Sequence, residues 1–156
     1  MKKFELTTES ITNVAGKKLF RIKALIDFED VKAGELGGYV EKEGNVSQDG
    51  NAWVYDNAWV SGDARVYGNA RVSGDARVCG NADYTLIQGF GTEFRCTTFY
   101  RGKNKKIMVN CGCFHGDLEE FKKQVKETRN GKVAKEYLMI ADLMEYHFAS
   151  EDSDDE

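Results

Sequence analysis

Residues 54–82 read VYDNAWVSGDARVYGNARVSGDARVCGNA. A valine recurs every six residues, at Val54, Val60, Val66, Val72 and Val78. An alanine follows each valine four positions later, and Asn or Asp comes just before the alanine. Counted outward from this stretch, the hexads begin at Val40, Val54, Val60, Val66, Val72 and Val78, with Val46 and Tyr84 as irregular members. Two extra residues fall between Val46 and Val54.

An aliphatic residue followed four later by a small one is the pattern of a left-handed parallel β-helix. Three hexads make one triangular coil of 18 residues. Valine points inward, alanine packs beneath the corner, and Gly-Asp or Gly-Asn makes the turn. One coil is a layer that cannot bury its own core, so coils must stack. A second period of 12 is also visible, and its structural rival is a flattened solenoid of 12 residues per turn. With 18-residue coils, position n lies over n+18. Trp53 then covers Arg71, Trp59 covers Arg77, and Arg65 meets Asp83. Each such contact is worth about 0.5–1 kcal/mol at an exposed site. A 12-residue coil would stack Arg65 on Arg77, a like-charge clash.

The 156 residues include 16 glycines and no proline. Gly, Asn and Asp must therefore make the turns, because they tolerate left-handed backbone. Net charge is −4, but the tail EDSDDE at 151–156 carries −5 by itself and leaves the body near +1. That balance argues against a strongly basic nucleic-acid binder and against a whole-surface DNA mimic. No apolar run follows the opening lysines and none approaches a membrane span, so the expectation is a cytoplasmic protein without a membrane partner. Cys79, Cys96, Cys111 and Cys113 are then reduced thiols.

The chain divides into an N-terminal strand cap at 1–39, the β-helix at 40–88, an α/β module at 89–149 and a disordered acidic tail at 150–156. In the cap, Phe20, Ile22, Ala24 and Ile26 alternate with Arg21, Lys23 and Leu25 as a strand with one face toward a core does. Gly34, Gly37 and Gly38 mark turns. In the module, TEFRCTTFYRGKNKKIMVNCGCF reads as a hairpin around RGKNKK. Asp117 and Glu120 form a capping box ahead of a helix whose inner face is Leu118, Phe121 and Val125. A second helix puts Val133, Tyr137, Ile140, Ala141, Met144 and Phe148 on one stripe. The fold class is thus mainly β: a short left-handed parallel β-helix with N-terminal strands and a C-terminal β-hairpin plus two-helix cap.

Cys111, Cys113 and His115 form C-x-C-x-H, and on one strand they would share a face. A zinc site needs four convergent ligands at other spacing, so no metal is assigned. His115 and His147 are the only histidines, and no catalytic residue or cofactor is assigned. The binding residues are Trp53, Tyr55, Trp59, Arg65, Tyr67, Arg71 and Arg77, all read as pointing outward from the β-helix. Tryptophan, tyrosine and arginine are enriched at binding hot spots and suit phosphates and bases.

The hexads resemble the hexapeptide-repeat acyltransferase superfamily. RIKALIDFEDVKAGELGGYVE, followed by GNAWVYDNAWV, is similar to uncharacterised acetyltransferase-like β-helix proteins of bacteria, phages and prophages. FGTEFRCTTFYRGKNKKIMVNCGCFHGDLEEFKKQV is similar to a C-terminal module attached to many of them. True acyltransferases of that superfamily carry a catalytic histidine near the β-helix and hold acyl-CoA between subunits. The repeat here contains no histidine. The resemblance implies the fold and a phage or prophage context, hence a host cytoplasm. The reading is a homo-oligomer, dimer or trimer, that acts by binding. Its role would be to bind and block a host protein or to sequester a nucleotide-like small ligand. An acyltransferase using His115 is the alternative, and a structural scaffold the third reading.

Overall fold

The computed structural model describes residues 2–112 and 114–149; the readings placed on Cys113 and on the tail 150–156 lie outside them. The chain opens with two antiparallel strands, β1 (Phe4–Thr12) and β2 (Lys18–Ala24). β3 (Leu36–Val40) pairs antiparallel with β2. Gly37 and Gly38 lie inside β3 rather than at turns, because the neighbouring backbone approaches closely. A Cβ at Gly37 would stand 2.6 Å from the Val54 carbonyl oxygen, and one at Gly38 2.5 Å from that of Ala58.

The repeat supplies four two-residue strands: β4 (Trp53–Val54), β5 (Trp59–Val60), β6 (Arg71–Val72) and β7 (Arg77–Val78). They pair in parallel across 18 residues, Val54 with Val72 and Val60 with Val78. One layer earlier the separation is 20, Val40 with Val60 and Val46 with Val66. The step from 20 to 18 falls where the two extra residues lie. No pairing follows the 12-residue period. One sheet runs β1-β2-β3-β5-β7, and β4-β6 form a second.

Val40, Val46, Val54, Val60, Val66, Val72 and Val78 are all buried, as are Ala52, Ala58, Ala64, Ala70 and Ala76. Backbone at positive φ recurs every six residues, at Gly50, Asp56, Gly62, Gly68 and Gly74. Glycine takes this conformation at no steric cost, and Asp is among the few other residues that tolerate it. The hexad is therefore one extended inward valine and one left-handed corner.

After the repeat come β8 (Tyr84–Phe90), β9 (Arg95–Arg101), β10 (Ile107–Cys111) and β11 (Phe114–Asp117). They form an antiparallel sheet in the order β11-β10-β9-β8. The expected hairpin is only its middle pair, β9 and β10. β8 reads in the sequence as a fading repeat, and β11 is too short to show a pattern. Helices α1 (Leu118–Thr128) and α2 (Gly131–His147) cover one face of this sheet. The capping box closes as read: the Glu120 amide donates to Asp117 Oδ1 and the Asp117 amide to Glu120 Oε1, both at 2.8 Å. Among the described residues no helix is long and apolar enough to cross a membrane.

Neighbouring residues of β9 serve two cores. Tyr100 completes the valine–alanine core, whereas Phe99 joins Phe121, Tyr137 and Met144 under the helices. The exposed edges of the last repeat strands are closed by side chains instead of another coil. Thr98 Oγ1 accepts from the Arg71 amide at 2.9 Å, and Asn110 Nδ2 donates to the Arg71 carbonyl at 2.7 Å. On a neighbouring run, Asn81 Oδ1 accepts from the Arg65 amide at 3.2 Å and the Tyr84 hydroxyl donates to the Arg65 carbonyl at 2.6 Å. These contacts press the C-terminal sheet onto the repeat and form the clefts described next.

Candidate ligand-binding clefts

The seven outward positions do not form one surface. Trp53 flanks the inward Val54 but is only 1 % exposed. Phe4 and Phe28 meet its ring edge-on at 5.8 and 5.2 Å, so the N-terminal strands bury it. It belongs to the core and cannot touch a ligand. Trp59 and Arg77 stack as the 18-residue register requires, with the guanidinium carbon 3.8 Å from the ring. Burial pulls the Arg77 pKa down. Arg65 is exposed and does not meet Asp83, whose carboxylate binds Arg101 at 3.0 Å instead. Tyr67 is exposed and meets Tyr84 edge-on at 6.4 Å.

Tyr55 and Arg71 are the two that come together at a concavity. Arg71 lies beside Trp53 in the strand register, but its guanidinium stacks on Tyr55 and not on Trp53. Its guanidinium carbon sits 5.0 Å from the Tyr55 ring, and Nη2 reaches Asp30 at 3.3 Å. The Tyr55 hydroxyl donates to the same Asp30 at 2.9 Å. Burial, with the acidic neighbour adding to it, pushes the Tyr55 phenol above its ordinary range, so it stays a neutral donor. Tyr55, Arg71 and Asp30 thus brace one another at the seam between repeat and C-terminal sheet.

A cleft opens on each side of this brace. The first, of 260 Å³, is floored by the amides of Asn51, Asn69 and Gln88 and walled by Phe94 and Arg95. Asn51 donates to Asn69 and Asn69 to Gln88, each at 3.3 Å, so the three amides form a ladder up the repeat. Cys96 also lines this cleft, and burial raises its pKa, which keeps the thiol protonated and unreactive. The second, of 460 Å³, is lined by Asp56, Ser73, Asn110 and His115. There His115 Nε2 lies 3.1 Å from the Tyr100 hydroxyl, which lies 3.2 Å from Ser73 Oγ. Asn110 Nδ2 donates to Ser73 Oγ at 3.0 Å. Burial raises the Tyr100 pKa, so the hydroxyl remains a donor within this chain of contacts.

Cys111 and His115 do not share a face as the sequence spacing suggested. Gly112, with φ +59, turns the chain, and β10 and β11 pair antiparallel with Cys111 opposite Phe114. Cys111 then packs under the helices while His115 faces the repeat. Among the described residues no three His, Cys, Asp or Glu side chains converge on a metal position.

Sequence reasoning missed Asp30, Asn51, Asn69, Gln88, Phe94, Arg95 and Asn110. Asn51 and Asn69 are 18 apart and could have been paired by the register that pairs the tryptophans with arginines. The others come from segments without periodicity and carried no signal.

The family profile described as "YdcK Beta solenoid repeat" matches residues 64–80. It covers the part of the chain where the hexads are most regular and supports a β-solenoid repeat. No curated protein matches the chain.

Proposed function

We propose that this chain acts by binding, and that its ligand is a nucleotide-like small molecule held in the paired clefts beside Arg71. One observation carries the reading: Tyr55 and Arg71 stand where two concavities meet, with an amide ladder on one side and a hydroxyl–imidazole network on the other. Concave sites with a few fixed polar groups suit small ligands better than a flat partner surface. Aromatic faces stack bases, amides meet base edges, and carboxylates such as Asp30 accept from sugar hydroxyls. A left-handed coil, argued from the hexad pattern, a phage or prophage setting, argued from the sequence resemblance, and a dimeric or trimeric assembly belong to the same reading.

The second reading is acyl transfer with His115 as base. It is favoured by the position of the imidazole, which touches Tyr100 and lines the larger cleft. Native mass spectrometry of the protein purified from its host separates the two. A bound nucleotide-like mass is the expected result, and Arg71→Ala is expected to weaken its binding about 30-fold. His115→Ala, which removes one lining side chain of the larger cleft, should weaken binding less than Arg71→Ala does. Trp59→Ala with Arg77→Ala, which do not line either cleft, should leave binding within a few fold. A co-purifying host protein, or acyl-CoA whose turnover stops in His115→Ala, would overturn the proposal.

A further inference from the structure

A pit of 110 Å³ opens between the C-terminal sheet and the helices. Its wall is the apolar face of α1, Phe121 and Val125. Into this apolar setting reach two guanidinium groups, Arg95 from the start of β9 and Arg129 from the C-terminal end of α1, together with the Gln124 amide. No Asp or Glu lines it.

Among the described residues, Arg21, Arg71 and Arg101 each hold a carboxylate, whereas Arg65, Arg77, Arg95 and Arg129 hold none. Of these four, Arg95 and Arg129 are the two that line one concavity together. The seat of Arg95 is built into the backbone: its side chain lies across Gly112, where a Cβ would stand 2.9 Å from both Cδ and Cζ of the arginine. Arg129 sits over the Tyr137 ring, 5.9 Å from its centre. The Tyr137 hydroxyl donates to the Phe90 carbonyl at 3.2 Å and does not neutralise either cation. Burial, with Cys111 adding to it, pushes the Tyr137 pKa up, and Arg129 and Arg95 oppose the shift.

From the two guanidinium forks, the amide and the absence of any lining carboxylate, we infer that the pit is a subsite for one tetrahedral oxyanion, a phosphate group. Planar guanidinium forks match phosphate oxygens in pairs. The volume equals about three to four bulk water volumes, enough for one such group. The inference does not rest on the ligand of the clefts. Arg95 also walls the smaller cleft, whereas Arg129 and Gln124 line the pit alone.

The test is titration of the whole chain with inorganic phosphate, followed by phosphorus NMR and calorimetry, with chloride at matched ionic strength as the blank. Saturable binding of one phosphate per chain is expected. Arg95→Gln and Arg129→Gln should each weaken it about tenfold or more, and the pair together should abolish it. Gly112→Ala should weaken it as well, by displacing Arg95. Arg71→Ala should leave it unchanged, which separates this site from the clefts. Melting curves show that each variant is folded before it is titrated. Non-saturable uptake, or unaltered binding in the folded double arginine variant, would sink the inference.

Discussion

Lys3 shows how a single side chain can cap a repeat. It is 2 % exposed, and its ammonium donates to the carbonyls of Ala52 at 2.7 Å and Gly50 at 3.2 Å. The ring of Phe28 lies 4.8 Å away. Burial pulls its pKa from 10.5 down to about 8, although Asp49 opposes the shift. Between those values the unfolded chain keeps the proton and the folded chain releases it. The unfolded state then binds more protons, so this group makes stability rise with pH through that window. Below about pH 8 both states are charged and the burial cost is present in full. A gap of this size corresponds to at most about 3 kcal/mol. Urea unfolding of wild type and Lys3→Met from pH 7 to 10.5 should show wild type gaining on the variant as pH rises. A constant difference across that range would contradict the assignment. Nothing in MKKF marks the second lysine as buried, since the carbonyls it meets lie almost fifty residues away.

At the scale of elements, the β6 edge is closed by borrowed side chains. An unpaired strand edge is open to pairing with another chain, and here Thr98 and Asn110 occupy it. Removing a partner from a buried backbone group costs about 1–3 kcal/mol. Thr98→Val and Asn110→Leu should each lose stability of that order in urea unfolding, with exposed Thr92→Val as the neutral control. Equal stability of all three would mean that the edge is satisfied in another way. Such closures are not legible in sequence, because any threonine or asparagine on a strand looks alike. The repeat was legible because inward valine, corner alanine and left-handed corner recur together and reinforce one another. The helices were legible too: Asp117 and Glu120 mark a start, and Tyr137, Ile140, Ala141 and Met144 mark a face. The clefts were half legible. Tyr55 and Arg71 stood out by composition, whereas Arg95 and Asn110 reach the site only because the C-terminal sheet folds back. Trp53 was misplaced for a related reason: outward from the coil does not mean exposed when β1 and the segment around Phe28 return over it.

The whole molecule consists of two apolar cores sharing one sheet. The valine–alanine core extends through every layer, so a fault in one layer deprives its neighbours of a packing partner. Val66→Asp places an unpaired charge in the middle layer, at a cost of several kcal/mol, whereas Arg65→Ala removes an exposed group. Thermal melting should show the repeat unfolded or severely destabilised in the first and nearly unchanged in the second. Comparable melting temperatures would refute the inward assignment of the valines. The end closures also have a consequence for how such a chain can change in length. Lys3 and the N-terminal strands close the first layer, and Thr98, Asn110, Asn81 and Tyr84 close the last. A tandem duplication of 18 codons would add one rung, about 4.8 Å of height, without changing the side chains of either closure. It would, however, carry Arg71 one rung away from Asp30, which bonds it from the N-terminal segment. Copy number is therefore free for the repeat itself but fixed for the clefts, whose brace joins an early segment to the last rungs.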